Sequence, residues 1–153
     1  MSKVEVGKKV PDFELPATGD TKFRVSKMKG KIVVLYFYPK DNTPGCTTEA
    51  IDFTAALDDF DAAGAVVIGV SKDSVESHDK FKKKHGLKVI LGSDPDRKVI
   101  EAYGAWGEKS MYGKTYEGII RSSFLIGEDG KIIDAWYKVS PKDTVPKAMN
   151  ALS

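Results

Sequence analysis

The chain has 153 residues, enough for one domain that buries roughly 70% of the surface its unfolded form would expose. Its single cysteine excludes an internal disulfide, and with only two histidines it leaves too few soft ligands for a four-ligand zinc site. Lys and Arg (24) nearly balance Asp and Glu (22), and a net charge of +2 gives no ground for a nucleic-acid partner.

The opening stretch MSKVEVGKKVPDF is broken by charge, Gly or Pro every few residues, so it lacks the apolar run of a signal peptide. No later run approaches the ~18 apolar residues of a membrane helix, and a cytoplasmic protein without a membrane segment is expected. Ile32–Tyr38 (IVVLYFY) and Ala65–Val70 (AVVIGV) are continuous, β-branched and aromatic, the pattern of strands buried on both faces. Between them Cys46, Ala50, Phe53, Leu57 and Phe60 recur at steps of four and three, and Gly64 follows, which predicts an amphipathic helix. Strand, helix and strand in this order imply a right-handed parallel βαβ unit.

Asp73 with Glu76 three residues later reads as a capping box for a second crossover helix that Gly86 closes. His78, His85 and the run Lys82-Lys83-Lys84 fall on this polar helix and are expected at the surface. A short strand follows near Val89–Leu91, then a short helix over Arg97–Tyr103. Gly104, Gly107 and Gly113 mark a loop, without the spacing or leading strand of a dinucleotide site, and Trp106 and Met111 flank it as packing residues. Ser122–Ile126 and Ile132–Tyr137 form a hairpin around Asp129-Gly130, and a last helix starts near Lys142. The expected architecture is one α/β domain, residues 1–153, with a mixed central sheet flanked by helices.

The segment Pro39-Lys40-Asp41-Asn42-Thr43-Pro44-Gly45-Cys46 joins the end of a buried strand to the long helix, where ligands bind in open α/β sheets. With Thr43 as N-cap and Pro44 at the first helical position, Cys46 falls in the first turn. Backbone N–H groups of Gly45 and Cys46 are then free to donate to an anion or a bound oxygen, and Gly45 leaves the approach to sulfur open. Glu49 shares the Cys46 face and can orient a cation but cannot itself activate the thiol. An ordinary cysteine is only a few per cent thiolate at neutral pH, and making it mostly thiolate takes roughly 3 kcal/mol. A helix terminus contributes about 0.3 to 1 kcal/mol. A cation must supply the rest, and since the loop offers only Lys40, a Lys or Arg from elsewhere in the fold is expected at the sulfur. Position alone leaves Cys46 balanced between a reactive nucleophile and a small core hydrophobe.

Pro39, Thr43 and Cys46 match the P-x-x-x-T-x-x-C signature, and the run YFYPKDNTPGCTTEAIDF resembles peroxiredoxins of the bacterioferritin comigratory protein, or peroxiredoxin Q, subgroup. The resemblance continues through GVSKDSVESHDKF and WGEKSMYGKTYEGIIRSSFLIGEDGKI. It implies a thioredoxin-like fold and a thiol-dependent peroxidase of antioxidant defence, needing no metal or cofactor. Cys46 would attack hydrogen peroxide or an organic hydroperoxide and become a sulfenic acid. Thr43 would hold the peroxide, Pro39 would shield the pocket, and Arg121 would support the thiolate and bind peroxide as the cation sought above. Glu49 would help to hold that arginine.

The chain departs from the subgroup at its resolving cysteine. Many members carry one five residues after the first, here Ile51, and others at a place that aligns with Lys82. The resemblance then implies a one-cysteine enzyme regenerated by an external thiol such as thioredoxin, glutaredoxin or glutathione, and prone to overoxidation when reductant is scarce. A monomer is expected. Two other classes stay open at this point: a disulfide reductase, which normally needs a C-x-x-C pair where this chain has Glu49, and a redox sensor without turnover.

Overall fold

The computed structural model describes residues 4–28 and 30–152. Strand β3 (Ile32–Phe37) leads into helix α1 (Pro44–Ala62), which returns through Gly64 to β4 (Ala65–Ser71), and β3 and β4 pair in parallel. Helix α2 (Val75–His85) continues the winding to β5 (Ile90–Ser93), which lies parallel to β4. Strand β8 (Ser122–Ile126) then runs antiparallel along the other edge of β3, and β9 (Ile132–Tyr137) antiparallel to β8. Together with an N-terminal hairpin, β1 (Glu14–Ala17) and β2 (Thr21–Arg24), they make a seven-stranded mixed sheet in the order β2-β1-β5-β4-β3-β8-β9. This is the mixed sheet with flanking helices that the apolar runs predict.

The sheet buries both faces because its central strands carry apolar side chains in both directions. One face packs Phe13, Phe37, Ile100, Tyr103 and Phe124, drawing on α3 (Lys98–Ala102) and the N-terminal segment. The other packs Tyr36, Phe53, Phe60, Phe81 and Ala148 between the sheet and α1, α2 and α4 (Thr144–Leu152), and Cys46 lies in this second cluster. Tyr36 fits only because its strand neighbour is Gly69, where a Cβ would lie 2.5 Å from the tyrosine ring.

Several expectations are corrected. The glycine-marked stretch after Tyr103 is not a loop: β6 (Trp106–Met111) and β7 (Lys114–Ile119) form a separate two-stranded ribbon, turning at Tyr112-Gly113. The N-terminal β1–β2 hairpin is absent from the sequence reading altogether. Asp73 does not cap α2; Ser74 does, its hydroxyl accepting from the Ser77 amide at 3.1 Å, while Asp73 accepts from the Asp41 amide and the Ser71 hydroxyl. Gly86 does end α2, in the left-handed conformation expected of a helix stop. His78 is fully buried rather than exposed, His85 is half-buried and bonds Asn42, and Lys82 reaches Thr18. No helix among the described residues is long and apolar enough to cross a membrane.

Candidate active site

The site forms where the carboxyl end of β3 gives way to α1. Proline at the first helical position starts the helix, and Thr43 sits at the N-cap with extended backbone. Its hydroxyl does not cap the helix but donates to the Lys40 carbonyl at 2.8 Å, tying the loop into a tight arch. The first-turn amides of Gly45 and Cys46 therefore keep no helical acceptor and point out of the helix end. Pro39 is half-buried at the other foot of the arch.

Cys46 is 1% exposed, and its neighbours come from three elements. Arg121, just before β8, donates from Nη2 to Cys46 Sγ at 3.4 Å and from Nη1 to Glu49 Oε1 at 2.7 Å. Glu49 lies one turn after Cys46 on the buried face of α1, and its second oxygen accepts from the Thr144 hydroxyl of α4 at 2.7 Å. The guanidinium is thus held by a carboxylate that α4 in turn orients. Gly45 completes the packing: a Cβ there would come within 3.0 Å of Pro141 and 3.2 Å of the Arg121 guanidinium. The structure brings Thr43, Gly45, Cys46, Glu49 and Arg121 together, with Pro39 at the edge.

The electrostatics follow from burial. Burial raises the Glu49 carboxyl from 4.5 to about 7, against the opposing pull of Arg121 and the Thr144 hydroxyl. Burial pulls Arg121 down, but the charges of Glu49 and Cys46 outweigh it and leave the guanidinium above its ordinary value, so it remains a cation. Lys109, on the β6–β7 ribbon, is lowered by burial and by Arg121. A pocket of about 400 Å³ lined by Lys109, Arg121, Lys138 and Val139 opens beside the guanidinium. A second, of about 280 Å³, opens beside Gly45 between Thr48 and Pro141.

Sequence reasoning missed two supports. Thr144 and Pro141 lie almost a hundred residues from Glu49 and Gly45, and nothing in their local spacing marks them. The Asp41–His78 pair went unmarked as well: Asp41 is buried inside the arch, bonded to the Tyr38 hydroxyl, the Ser77 hydroxyl and the His78 ring. The polar repeat of α2 hides this contact.

Comparison with known proteins identifies the family. The AhpC/TSA family model matches residues 6–135. The peroxiredoxin Bcp of Bacillus subtilis is 49% identical over 149 residues, covering 97% of this chain and 95% of that protein. Among solved structures, the peroxiredoxin Q of Xylella fastidiosa superposes with a TM-score of 0.92 at 38% identity, covering 99% of this chain and 97% of that one. The bacterioferritin comigratory protein of Xanthomonas campestris, described for its alkyl peroxide reduction activity, superposes with a TM-score of 0.89 at 42% identity, covering 97% of both chains. These proteins share the thioredoxin-like mixed sheet with its flanking helices, and the chain belongs to the AhpC/TSA family, as a peroxiredoxin of the Bcp, or peroxiredoxin Q, kind.

Proposed function

We propose that this thiol-dependent peroxidase works through Cys46 alone, as a one-cysteine enzyme that borrows its second thiol. The observation that carries the reading is the Arg121 guanidinium 3.4 Å from Cys46 Sγ, clamped on its other side by Glu49. A thiolate there attacks one oxygen of hydrogen peroxide or an alkyl hydroperoxide. As the S–O bond forms the O–O bond breaks, and the leaving oxygen takes a proton to depart as water or an alcohol, leaving a sulfenic acid. Speed requires stabilising the charge that grows on that leaving oxygen, because a thiolate made merely more stable also becomes a poorer nucleophile. The Arg121 guanidinium and the free amides of Gly45 and Cys46 are donors suited to that task, Thr43 would orient the peroxide, and Pro39 would keep water from the intermediate.

The sulfenic acid then needs an external thiol, since the sequence holds no second cysteine. Thioredoxin, glutaredoxin or glutathione would attack Sγ and expel the oxygen as water, giving a mixed disulfide that a further thiol resolves. The pocket beside Arg121 is the approach we assign to a small thiol; Lys109, Arg121 and Lys138 outnumber Glu108 in its lining and favour an anionic one. The protein would act as a single domain and a monomer, in the cytoplasm. Peroxide consumption with dithiothreitol tests the reading: wild type turns over, whereas Cys46→Ser does not, and mass spectrometry after peroxide and excess glutathione finds one adduct, on Cys46. Disulfide reduction without peroxide, or a single oxidation without turnover, would sink it in favour of a reductase or a sensor.

A further inference from the structure

The Asp41–His78 contact lies outside the chemistry of Cys46, yet it holds the arch that carries Thr43. His78 Nε2 faces the Gly92 carbonyl at 2.8 Å. A carbonyl oxygen can only accept, so this nitrogen carries a hydrogen. His78 Nδ1 faces Asp41 Oδ2 at 2.7 Å and, at 3.2 Å, the Tyr38 hydroxyl, whose hydrogen goes to the nearer Asp41 Oδ1. A bare ring nitrogen and a bare carboxylate oxygen would repel at that distance, so a proton lies between them. Asp41 is ringed by donors: the Tyr38 hydroxyl at 2.5 Å on Oδ1 and the Ser77 hydroxyl at 2.8 Å on Oδ2. A carboxyl already accepting from two hydroxyls is best served as a carboxylate, which assigns the proton to the ring. Burial raises the Tyr38 phenol well above its ordinary value, so Tyr38 stays an O–H donor.

We infer that His78 is a positioning residue that donates from both ring nitrogens, pinning the peroxide-binding arch to helix α2 and strand β5 through a buried ion pair with Asp41. The pin is central to the arch. Asp41 also donates its amide to Asp73 Oδ2 at 2.8 Å, and the next residue, Asn42, takes a left-handed backbone (φ 61°) while its side-chain oxygen faces His85 Nε2 at 2.8 Å. Thr43 follows directly, and Pro39 lies two residues before Asp41. A turn held from below at two successive residues leaves the threonine hydroxyl and the first-turn amides little freedom, and catalytic geometry loose by an ångström loses about 10²-fold in rate. A buried pair broken on one side is also costly to leave unpaired, which explains why the arch has no cheap alternative position.

The inference rests on the peroxidase reading for its kinetic consequence but not for its hydrogen count, and the test separates the two. In the full-length ¹⁵N-labelled protein at neutral pH, both ring nitrogens of His78 should show a directly bonded hydrogen, and Asp41→Asn should abolish the one on Nδ1. Stopped-flow oxidation of Cys46 by hydrogen peroxide should slow at least tenfold in Asp41→Asn and His78→Gln, while thiol reduction of the pre-oxidised enzyme stays within twofold. Ser77→Ala, which removes one donor and keeps the ion pair, should retain both ring hydrogens and slow oxidation severalfold, and it decides the matter if the other variants do not fold. A single ring hydrogen in the wild type or in folded Ser77→Ala, or an unchanged oxidation rate in folded Asp41→Asn or His78→Gln, overturns the inference. A wild type that consumes no peroxide would instead overturn the peroxidase reading and leave the hydrogen count to stand on the spectrum.

Discussion

Arg121 serves two partners with two different nitrogens, and this decides what a substitution there should do. A lysine keeps the charge but presents one compact ammonium, which cannot donate to Cys46 Sγ and Glu49 Oε1 in the same fork. Arg121→Lys is therefore expected to slow Cys46 oxidation by about 10²-fold, the scale of losing one fixed donor to a developing oxyanion, which stopped-flow fluorescence measures directly. Glu49 gives a pH prediction. Its carboxyl loses its proton near 4.5 when unfolded but near 7 in the native protein, because burial disfavours the charge. Between those values the native state binds more protons than the unfolded one, so this group's contribution is fully present below about 4.5 and is lost as pH rises through about 7. Its size is on the order of 3 kcal/mol. The stability of wild type relative to Glu49→Gln should accordingly fall by that order between pH 5 and pH 8, as read from urea unfolding at each pH. Equal slopes for the two proteins would show that Glu49 is ionised throughout.

At the scale of elements, α1 is fixed against β3 by ring stacking: Tyr36 and Phe53 lie 4.5 Å apart at 18°. Gly69 of β4 is what lets Tyr36 lie there, since a Cβ would meet Cζ at 2.5 Å and the hydroxyl at 2.7 Å. Gly69→Ala should therefore destabilise by about 1 to 3 kcal/mol or more, seen as a lower denaturation midpoint, and should lower activity by tilting α1 and Cys46 with it. These elements were legible in the sequence because their burial is written locally: β3 and β4 are apolar on both faces, and α1 keeps a stripe at helical spacing. The β6–β7 ribbon was not, because it stands outside the main sheet with β7 exposed over most of its length, so no alternation marks it. His78 was hidden for a related reason. Its burial comes from partners 37 and 14 residues away, Asp41 and Gly92, while its own helix reads VESHDKFKKKH, polar nearly throughout. The motif exposed Thr43 and Cys46, but the clamp of Thr144 on Glu49 exists only once α4 has docked.

For the molecule as a whole, the absent second thiol has a structural consequence that can be measured. Ile51 is 45% exposed on α1, five residues after Cys46, at the place where the resemblance seen in the sequence leads one to expect a resolving cysteine. Five residues along a helix advance about 7.5 Å on the axis and point to a different face, so their Cα atoms are farther apart than the ~7 Å a disulfide can span. A cysteine at 51 could join Cys46 only if the first turns of α1 unwound, which would carry the sulfur out of its contact with Arg121. With Ile51 at this position that demand does not arise, and in the one-cysteine mechanism proposed above the sulfenic acid would wait in the folded site for a thiol from solution. Ile51→Cys should therefore behave like wild type when reduced, but on oxidation by one equivalent of peroxide it should lose helical signal in far-ultraviolet circular dichroism and amide protection over residues 44–51. It should also lose its need for a small thiol in the first reductive step, since the new cysteine displaces the oxygen as water. The wild type, oxidised in the same way, should keep its helix. An Ile51→Cys protein that forms the internal disulfide with α1 intact would show that the helix start is far more pliant than its proline cap and its Glu49, Arg121 and Thr144 anchors require.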